Sequence, residues 1–317
     1  MDTDAPDARA EIFQDLRPRL FGIAYRMLGA VEDAEDVVQE AYLRWHHAPA
    51  AVRSAEAWLV AVVSRLSIDR LRRAATERAA YAGHWLPEPI ANPAGADVPP
   101  DRATELASDL SMAFLVLLER LAPEERAAFL LREVLDAGYD EIAAALEKSE
   151  AACRQLVHRA RERVRRDQRR FRAPAAAKER LLDRFLTALA TEDREALVSL
   201  LADDVSCVAD GGGNAPAIRQ VVTGVERVVK LLLGLERQGR GRVEHRIVRI
   251  NGEPALLTLS GGRTLFTTSF DSDGERIFAV YRVLNPHKLR HVGPEPLFAD
   301  AWPPRGRMAA GGAPEAR

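Results

Sequence analysis

Between two stretches that read as helix lies one that cannot be helix. Residues 81–104, YAGHWLPEPIANPAGADVPPDRAT, hold five prolines and two glycines. Proline has no N–H to donate and its ring clashes with the preceding helical turn, so this segment divides the chain into modules. Residues 8–80 read as helices, broken at Gly29 and around His46–Ser54, and residues 105–173 are helical again. Pro174 and the alanines after it mark a second boundary. From Lys178 the period changes. Two amphipathic helices, at about 178–190 and 193–201, precede a strand, a glycine loop, and a helix near 225–237. Strand-like segments follow from about 242 to 284, and Asn251-Gly252, Gly261-Gly262 and Asp273-Gly274 predict antiparallel hairpins between them. The expected fold class is multidomain: two all-α modules, a linker at 81–104, then an α+β module at 178–292. The tail, 293–317, is rich in Pro, Gly and Ala and is expected to be disordered.

Several function classes drop out on composition. The apolar runs AFLVLL and LLLGL fall far short of the roughly 20 residues that span a bilayer. The acidic start, MDTDAPDARA, has no apolar segment of the secretory kind. The two cysteines, Cys153 and Cys207, give no disulfide framework and point to a reducing cytoplasm. The seven histidines do not cluster with cysteines or carboxylates at ligand spacing, so no metal and no cofactor is expected. Formal net charge is −2, yet from Arg154 to Arg172 nine arginines face only Glu162 and Asp167. Such a run repels itself unless anions neutralise it.

That run has internal order. Ile142, Ala143 and Leu146 make one apolar face, and Ser149 is suited to cap a new helix. In the new helix Ala152, Leu156, Ala160 and Val164, with Val157, form a core-facing stripe. Arg154, Gln155, His158, Arg159 and Arg161 lie opposite. This is a helix-turn-helix pattern whose basic second helix suits a DNA major groove; a solvated amphipathic helix is the plainer alternative. Earlier, Asp33, Asp36, Gln39, Glu40 and Arg44 recur three to four residues apart as a polar, mostly acidic ridge. Ser64, Arg65, Asp69, Arg70, Arg72 and Arg73 put positive charge on the next helix. Trp58, nearby, reads as a core residue.

With these residues in view, DAEDVVQEAYLRWHHAP and AEAWLVAVVSRLSIDRLRRA resemble region 2 of bacterial extracytoplasmic-function sigma factors. The stretch from SDLSMAFLVLLERL through the basic helix resembles region 4. Residues 178 to about 290 resemble SnoaL-like domains of the cone-shaped NTF2-like class, which wrap helices against a curved antiparallel sheet. The combination resembles the SigJ type of sigma factor through three marks. Trp85-Leu86-Pro87-Glu88-Pro89 matches a WLPEP stretch in full. Asp210-Gly211-Gly212-Gly213 matches DGGGK except that Asn214 replaces lysine. Asn285-Pro286-His287-Lys288-Leu289 matches NPDKL except that His287 replaces aspartate.

The resemblance implies a transcription initiation factor that is not an enzyme. Asp33, Asp36, Gln39, Glu40 and Arg44 would dock on the β′ clamp helices of core RNA polymerase, which the family also engages at the β flap. Ser64, Arg65, Asp69, Arg70 and Arg73 would meet the −10 element of promoter DNA. Arg154, Gln155, His158, Arg159 and Arg161 would meet the −35 element. Trp85, Leu86, Pro87, Asp210, Gly211, Gly212, Gly213, Asn285, Pro286, Lys288 and Leu289 would form an interdomain contact through which the third module regulates the first two. That module leaves room for a small-molecule ligand, and the free chain is expected to be a monomer.

Two alternatives stay open. One is a ligand-responsive helix-turn-helix regulator acting without polymerase. The other is a SnoaL-like enzyme with Asp210 or His245 as general acid or base. A phosphate cradle at the glycines lacks the following Lys-Ser/Thr.

Overall fold

In a computed structural model, residues 4–49, 52–91, 111–164, 173–294 and 296 are described. Helices α1 (Asp4–Leu28), α2 (Val31–His46) and α3 (Ala55–Ala79) pack first. On α2 the buried residues Ala34, Val37, Val38, Ala41 and Trp45 recur at helical spacing and give one apolar stripe. Ser54 caps α3 by accepting from the Ala57 N–H at 3.2 Å. Gly29 closes α1 in a left-handed conformation, φ +68°, where a Cβ would stand 2.7 Å from Trp85 of the linker. Only glycine permits both that angle and that approach.

Helices α4 (Met112–Leu118), α5 (Pro123–Glu133), α6 (Tyr139–Leu146) and α7 (Glu150–Val164) make the second module. Its core residues, among them Leu118, Phe129, Ile142, Val157 and Ala160, join those of α1–α3 in one continuous apolar cluster. The two helical modules therefore close on each other rather than standing apart. On α7 Cys153 is fully buried and Ala152 only half-buried, so the stripe is rotated by one residue from the expected one at its start.

The third module comprises α8 (Ala175–Ala190), α9 (Arg194–Leu200), β1 (Leu201–Asp210), β2 (Val222–Thr223), α10 (Val225–Gly239), β3 (Glu244–Ile250), β4 (Glu253–Ser260), β5 (Arg263–Ser272) and β6 (Ile277–Val283), followed by a 3-10 turn, Pro286–Leu289. The sheet order is β2-β1-β6-β5-β4-β3. β3 to β6 form the expected antiparallel meander. β1, however, runs parallel to β6, against the expectation of a wholly antiparallel sheet. The whole meander and α10 lie between these two strands, so no hairpin dictates their relative direction.

Both faces of β4 and β5 are buried. One face packs on α8–α10 through Phe185, Leu232, Leu256 and Val280. The other packs under Leu86 of the linker, Met112 of α4 and Leu289 of the 3-10 turn. The linker thus roofs the sheet instead of tethering it. Past Val292 the chain stays on β5, where Pro296 bridges Thr264 and Pro294 accepts the Thr264 hydroxyl at 2.6 Å. Residues 297–317, most of the expected disordered tail, lie outside the described residues, as do 92–110. No helix among the described residues is long and apolar enough to cross a membrane.

The β3–β4 turn is a second tie to the first module. Asn251, φ +54° and 2% exposed, exchanges bonds with Ile90 (Asn251 N–H to Ile90 O, 2.8 Å; Ile90 N–H to Asn251 Oδ1, 3.0 Å). Its Nδ2 donates to the Tyr25 hydroxyl at 2.6 Å, and that hydroxyl donates to the Glu88 carbonyl at 2.6 Å. Asn251→Ala leaves buried donors and acceptors unmatched and adds left-handed strain. It should cost about 2–4 kcal/mol, of which Asn251→Gly recovers the strain part, about 1 kcal/mol. Urea denaturation of the two variants checks this.

Candidate nucleic-acid interface and interdomain contact

On α7, Arg154, Gln155, His158, Arg159 and Arg161 are all exposed, and Ser149 caps the helix by accepting from the Ala152 N–H at 3.2 Å. The helix-turn-helix bend is made by Glu147 in the left-handed region, φ +54°. Much of the basic charge already has partners. Glu125, 6% exposed on its side chain, holds Arg159 at 3.2 Å and Arg163 at 2.8 Å. Glu133 holds Arg161 at 2.6 Å, and Glu150 holds Arg154 at 2.6 Å, with the Arg154 guanidinium 5.1 Å from the Tyr139 ring centre. The acids of α5 thus neutralise part of a run that the sequence leaves to external anions. Gln155 and His158 make no such contact among the described residues. The arginines of the run between 165 and 172 fall outside them.

On α2, Asp36, Gln39, Glu40 and Arg44 are exposed, and Arg44 pairs with Glu40 at 2.8 Å. Asp33 does not belong to that ridge. It turns toward α3 and takes Arg70 at 2.5 Å and 2.9 Å. Leu43, half exposed on the same helix, is an apolar member of the ridge that charge spacing could not reveal. Ser64 is also not a surface residue: it is 1% exposed, on the α3 face shared with Ile68 and Leu71. Trp58 is half-buried, its ring centre 5.6 Å from that of Trp45. The remaining α3 cations are engaged. Arg65 pairs with Glu147, Arg72 with Glu124 at 2.7 Å and with Asp69 at 3.3 Å, and Arg73 donates to the Asp69 carbonyl at 3.3 Å. Glu124 and Glu147 belong to the second helical module, so that module sits over the basic row of the first.

The three separated segments Trp85–Pro89, Asp210–Gly213 and Asn285–Leu289 meet at one point. Asp210 is fully buried. Its Oδ1 accepts from the Tyr81 hydroxyl at 2.6 Å, and its Oδ2 from the Leu86 N–H at 2.9 Å and Lys288 Nζ at 2.7 Å. Its carbonyl accepts from the N–H groups of Leu284 (2.7 Å) and Asn285 (3.0 Å). Lys288 also donates to the Leu86 carbonyl and lies 4.1 Å from the centre of the Trp85 ring, which the Arg78 guanidinium approaches to 3.8 Å. Burial pulls the Lys288 ammonium below its ordinary pKa, and Asp210 opposes that pull. Burial beside Asp210 pushes the Tyr81 phenol up. Gly212, φ +55°, has no room for a Cβ, which would fall 2.2 Å from Asn285 Nδ2 and 2.7 Å from the Tyr81 hydroxyl. Pro286 and Leu289 are buried in the same seam.

With both oxygens so occupied, Asp210 has no lone pair turned to a substrate, which argues against it as a general base. His245 lies on the other side of the sheet, between Thr258 Oγ1 (2.8 Å) and Glu236 Oε2 (3.1 Å). Among the described residues no group of three or more His, Cys, Asp or Glu side chains is arranged to hold a metal ion.

Four residues were given no part in these contacts by the sequence reading: Tyr81, Arg78, Glu88 and Asn251. Glu88 is the least expected. Ala30 offers no side-chain cap to α2, and the Glu88 carboxylate, from the linker, accepts the Val31 N–H at 2.8 Å. Burial pushes that carboxyl above its ordinary pKa, and the Val31 bond opposes the shift. A cap supplied from 57 positions away has no signature in local sequence.

Residues 12–77 match the Sigma-70 region 2 family and residues 111–164 the Sigma-70, region 4 family. The chain is 38% identical over 289 residues to the ECF RNA polymerase sigma factor SigJ of Mycobacterium tuberculosis, covering 87% of this chain and 92% of that protein. It is 34% identical to the probable ECF RNA polymerase sigma factor SigI of the same species, over 68% of this chain and 73% of that one. The crystal structure of M. tuberculosis SigJ matches with a TM-score of 0.73 at 35% identity, covering 89% of this chain and 99% of that chain.

The seam between the helical modules combines apolar contact with exposed ion pairs worth only about 0.2–1 kcal/mol each. Glu124→Lys with Glu147→Lys sets like charges against Arg72 and Arg65. Trypsin cleavage after those arginines should become several-fold faster in the double variant, and raised salt should speed cleavage of the unaltered chain in the same direction. Unchanged cleavage would mean that the apolar contact alone closes the seam.

Proposed function

The chain belongs to the extracytoplasmic-function RNA polymerase sigma factors, which direct core RNA polymerase to promoters, and from that premise we propose how its surfaces divide the work. Asp36, Gln39, Glu40 and Arg44, with Leu43, dock on the β′ clamp helices; region 4 engages the β flap. Arg154, Gln155 and His158 read the −35 element in the major groove, with Arg159 and Arg161 exchanging their α5 carboxylates for phosphates. Arg65, Asp69, Arg70 and Arg73 meet the −10 element, where single-stranded bases need a cationic, pocketed surface. The site of action is the cytoplasm, where polymerase and promoter are.

The third module regulates this activity in cis, and a small molecule bound to it is one route for the signal. The observation that carries the reading is the placement of Glu124 and Glu147 on the α3 arginines while the linker is held against the sheet at Asp210. In that arrangement the −10 row faces region 4 instead of DNA. A state that engages polymerase and both promoter elements requires the two modules to separate, and a signal acts only by differing in affinity between the two states.

Run-off transcription with purified core polymerase on the protein's own upstream region tests the reading: no transcript beyond core enzyme alone would sink it. Asp36→Lys with Glu40→Lys should weaken holoenzyme formation at least about tenfold without unfolding a solvent-facing ridge. Arg154→Ala should cost about 1–3 kcal/mol in binding the cognate promoter and little on scrambled DNA. At the interdomain contact, Lys288→Met strands a buried carboxylate, which costs about 3–5 kcal/mol, whereas Lys288→Met with Asp210→Asn recovers much of that. Transcript yield should change in the single variant and move back toward the unaltered level in the double one. Equal yields in all three would remove the contact from regulation.

A further inference from the structure

Arg282, near the end of β6, is 9% exposed. It lies directly across from Thr268 of β5 and Ala209 of β1. By strand alternation it shares a face with Val280, the face that packs on α8–α10. Among the described residues its guanidinium finds no carboxylate and no hydrogen-bond acceptor. Its close contact is the Phe266 ring, 4.1 Å from the guanidinium carbon to the ring centre. Burial holds its pKa below the ordinary arginine value, and Glu236 opposes this only through its field. Glu236 itself is occupied by His245 Nε2 at 3.1 Å. A buried guanidinium with five donors to satisfy is costly without an anion.

We propose that the third module holds a binding site for a small organic monocarboxylate, seated on Arg282. The planar fork of a guanidinium takes a carboxylate through two parallel bonds. Phe266, with Leu265, Leu284, Ile218 and Val243, clusters beside it as an apolar wall for the body of the acid. One unpaired cation calls for one negative charge, and nearby Glu236 repels a second, which disfavours phosphate and other dianions. His245 and Thr258, whose Nδ1 and Oγ1 are 2.8 Å apart, lie on neighbouring strands of the same sheet, and Thr258 pairs with Phe266.

The site adjoins the interdomain contact on both strands. Arg282 pairs with Ala209, and the next pair along is Val283 with Asp210. A carboxylate that draws the Arg282 side chain also acts on the strand ends that position Asp210 and Asn285. This regulatory consequence rests on the reading of the third module as a regulator; the binding site does not.

Isothermal titration of the full chain with sodium benzoate tests the site, with benzamide as the neutral isostere and sodium chloride as the simple anion. Saturable benzoate binding is expected, with none for benzamide and none competing from chloride at equal concentration. Arg282→Met should abolish it. Arg282→Lys, which keeps the charge and drops the fork, should weaken it by about tenfold and serves where the methionine variant does not fold. No saturable binding, binding undiminished in both variants, or chloride binding as well as benzoate would overturn the site. Run-off transcription with and without benzoate reads the coupling separately. Benzoate that binds but leaves transcript yield unchanged refutes the effector role. Absence of any transcript refutes the sigma reading while the titration still decides the site.

Discussion

A carboxylate removed from water must have its lone pairs used, and Asp210 holds the molecule together by that requirement. Its partners come from a phenol and a backbone N–H at two points of the linker and from an ammonium beyond the last strand. Neither linker group is near Asp210 or Lys288 in sequence, so the bonds exist only when sheet and linker are assembled. Removing any one leaves a charge or dipole stranded in a poor dielectric, where the penalty exceeds the net worth of the bond. The contact therefore behaves as a unit. The Asn251–Tyr25–Glu88 chain adds a second, uncharged tie that joins sheet and linker to α1 of region 2.

The seam between regions 2 and 4 has a different character. Its ion pairs, Arg65–Glu147 and Arg72–Glu124, have substantial exposure, are screened by salt, and contribute little individually. Its apolar part is larger, because Leu118 and Ile142 share a core with α1–α3. Opening the seam exposes that surface to water unless another protein covers it. Under the proposed function, a partner that buries the apolar patch while DNA replaces Glu124 and Glu147 would offset both costs at once. On that same proposal, closure in the free chain and opening on polymerase would follow from one balance.

The helical modules were legible because apolar stripes and caps are local. Ser149 caps where its sequence position says it should, and Ser54, at the end of the expected break, caps α3. The misplacements have local causes too. Ser64 falls with Ile68 and Leu71 at core spacing, but a hydroxyl among basic residues reads as surface. Asp33 lies at the flank of the α2 stripe, where a short rotation brings it to Arg70 instead of solvent. Long-range pairings left no such trace. The parallel β1–β6 pair, the Glu88 cap on α2 and the Tyr81 hydroxyl on Asp210 each join residues whose partnership only the assembled fold creates. The meeting of linker, glycine turn and final turn entered through family resemblance.

The two departures from the resembled motifs lie outside the buried part of that meeting point. Asn214, in the lysine position, is half-buried and bonds back to the Gly212 carbonyl at 3.1 Å. It steadies its own turn without reaching another module. His287, in the aspartate position, sits 3.1 Å from an Arg290 nitrogen, and Arg290 reaches Glu32 at the start of α2 at 3.3 Å. An aspartate there would compete with Glu32 for the guanidinium through full charge, whereas an imidazole offers at most a single lone pair. The histidine thus leaves Arg290 more available to α2 and favours one more tie between the final turn and region 2. Asp210 and Asn285, which are buried, and Lys288 and Trp85, which are half-buried beside them, are all retained. The substitutions adjust the rim of the contact, where individual interactions are weak, and leave its desolvated centre, where they are strong, unaltered.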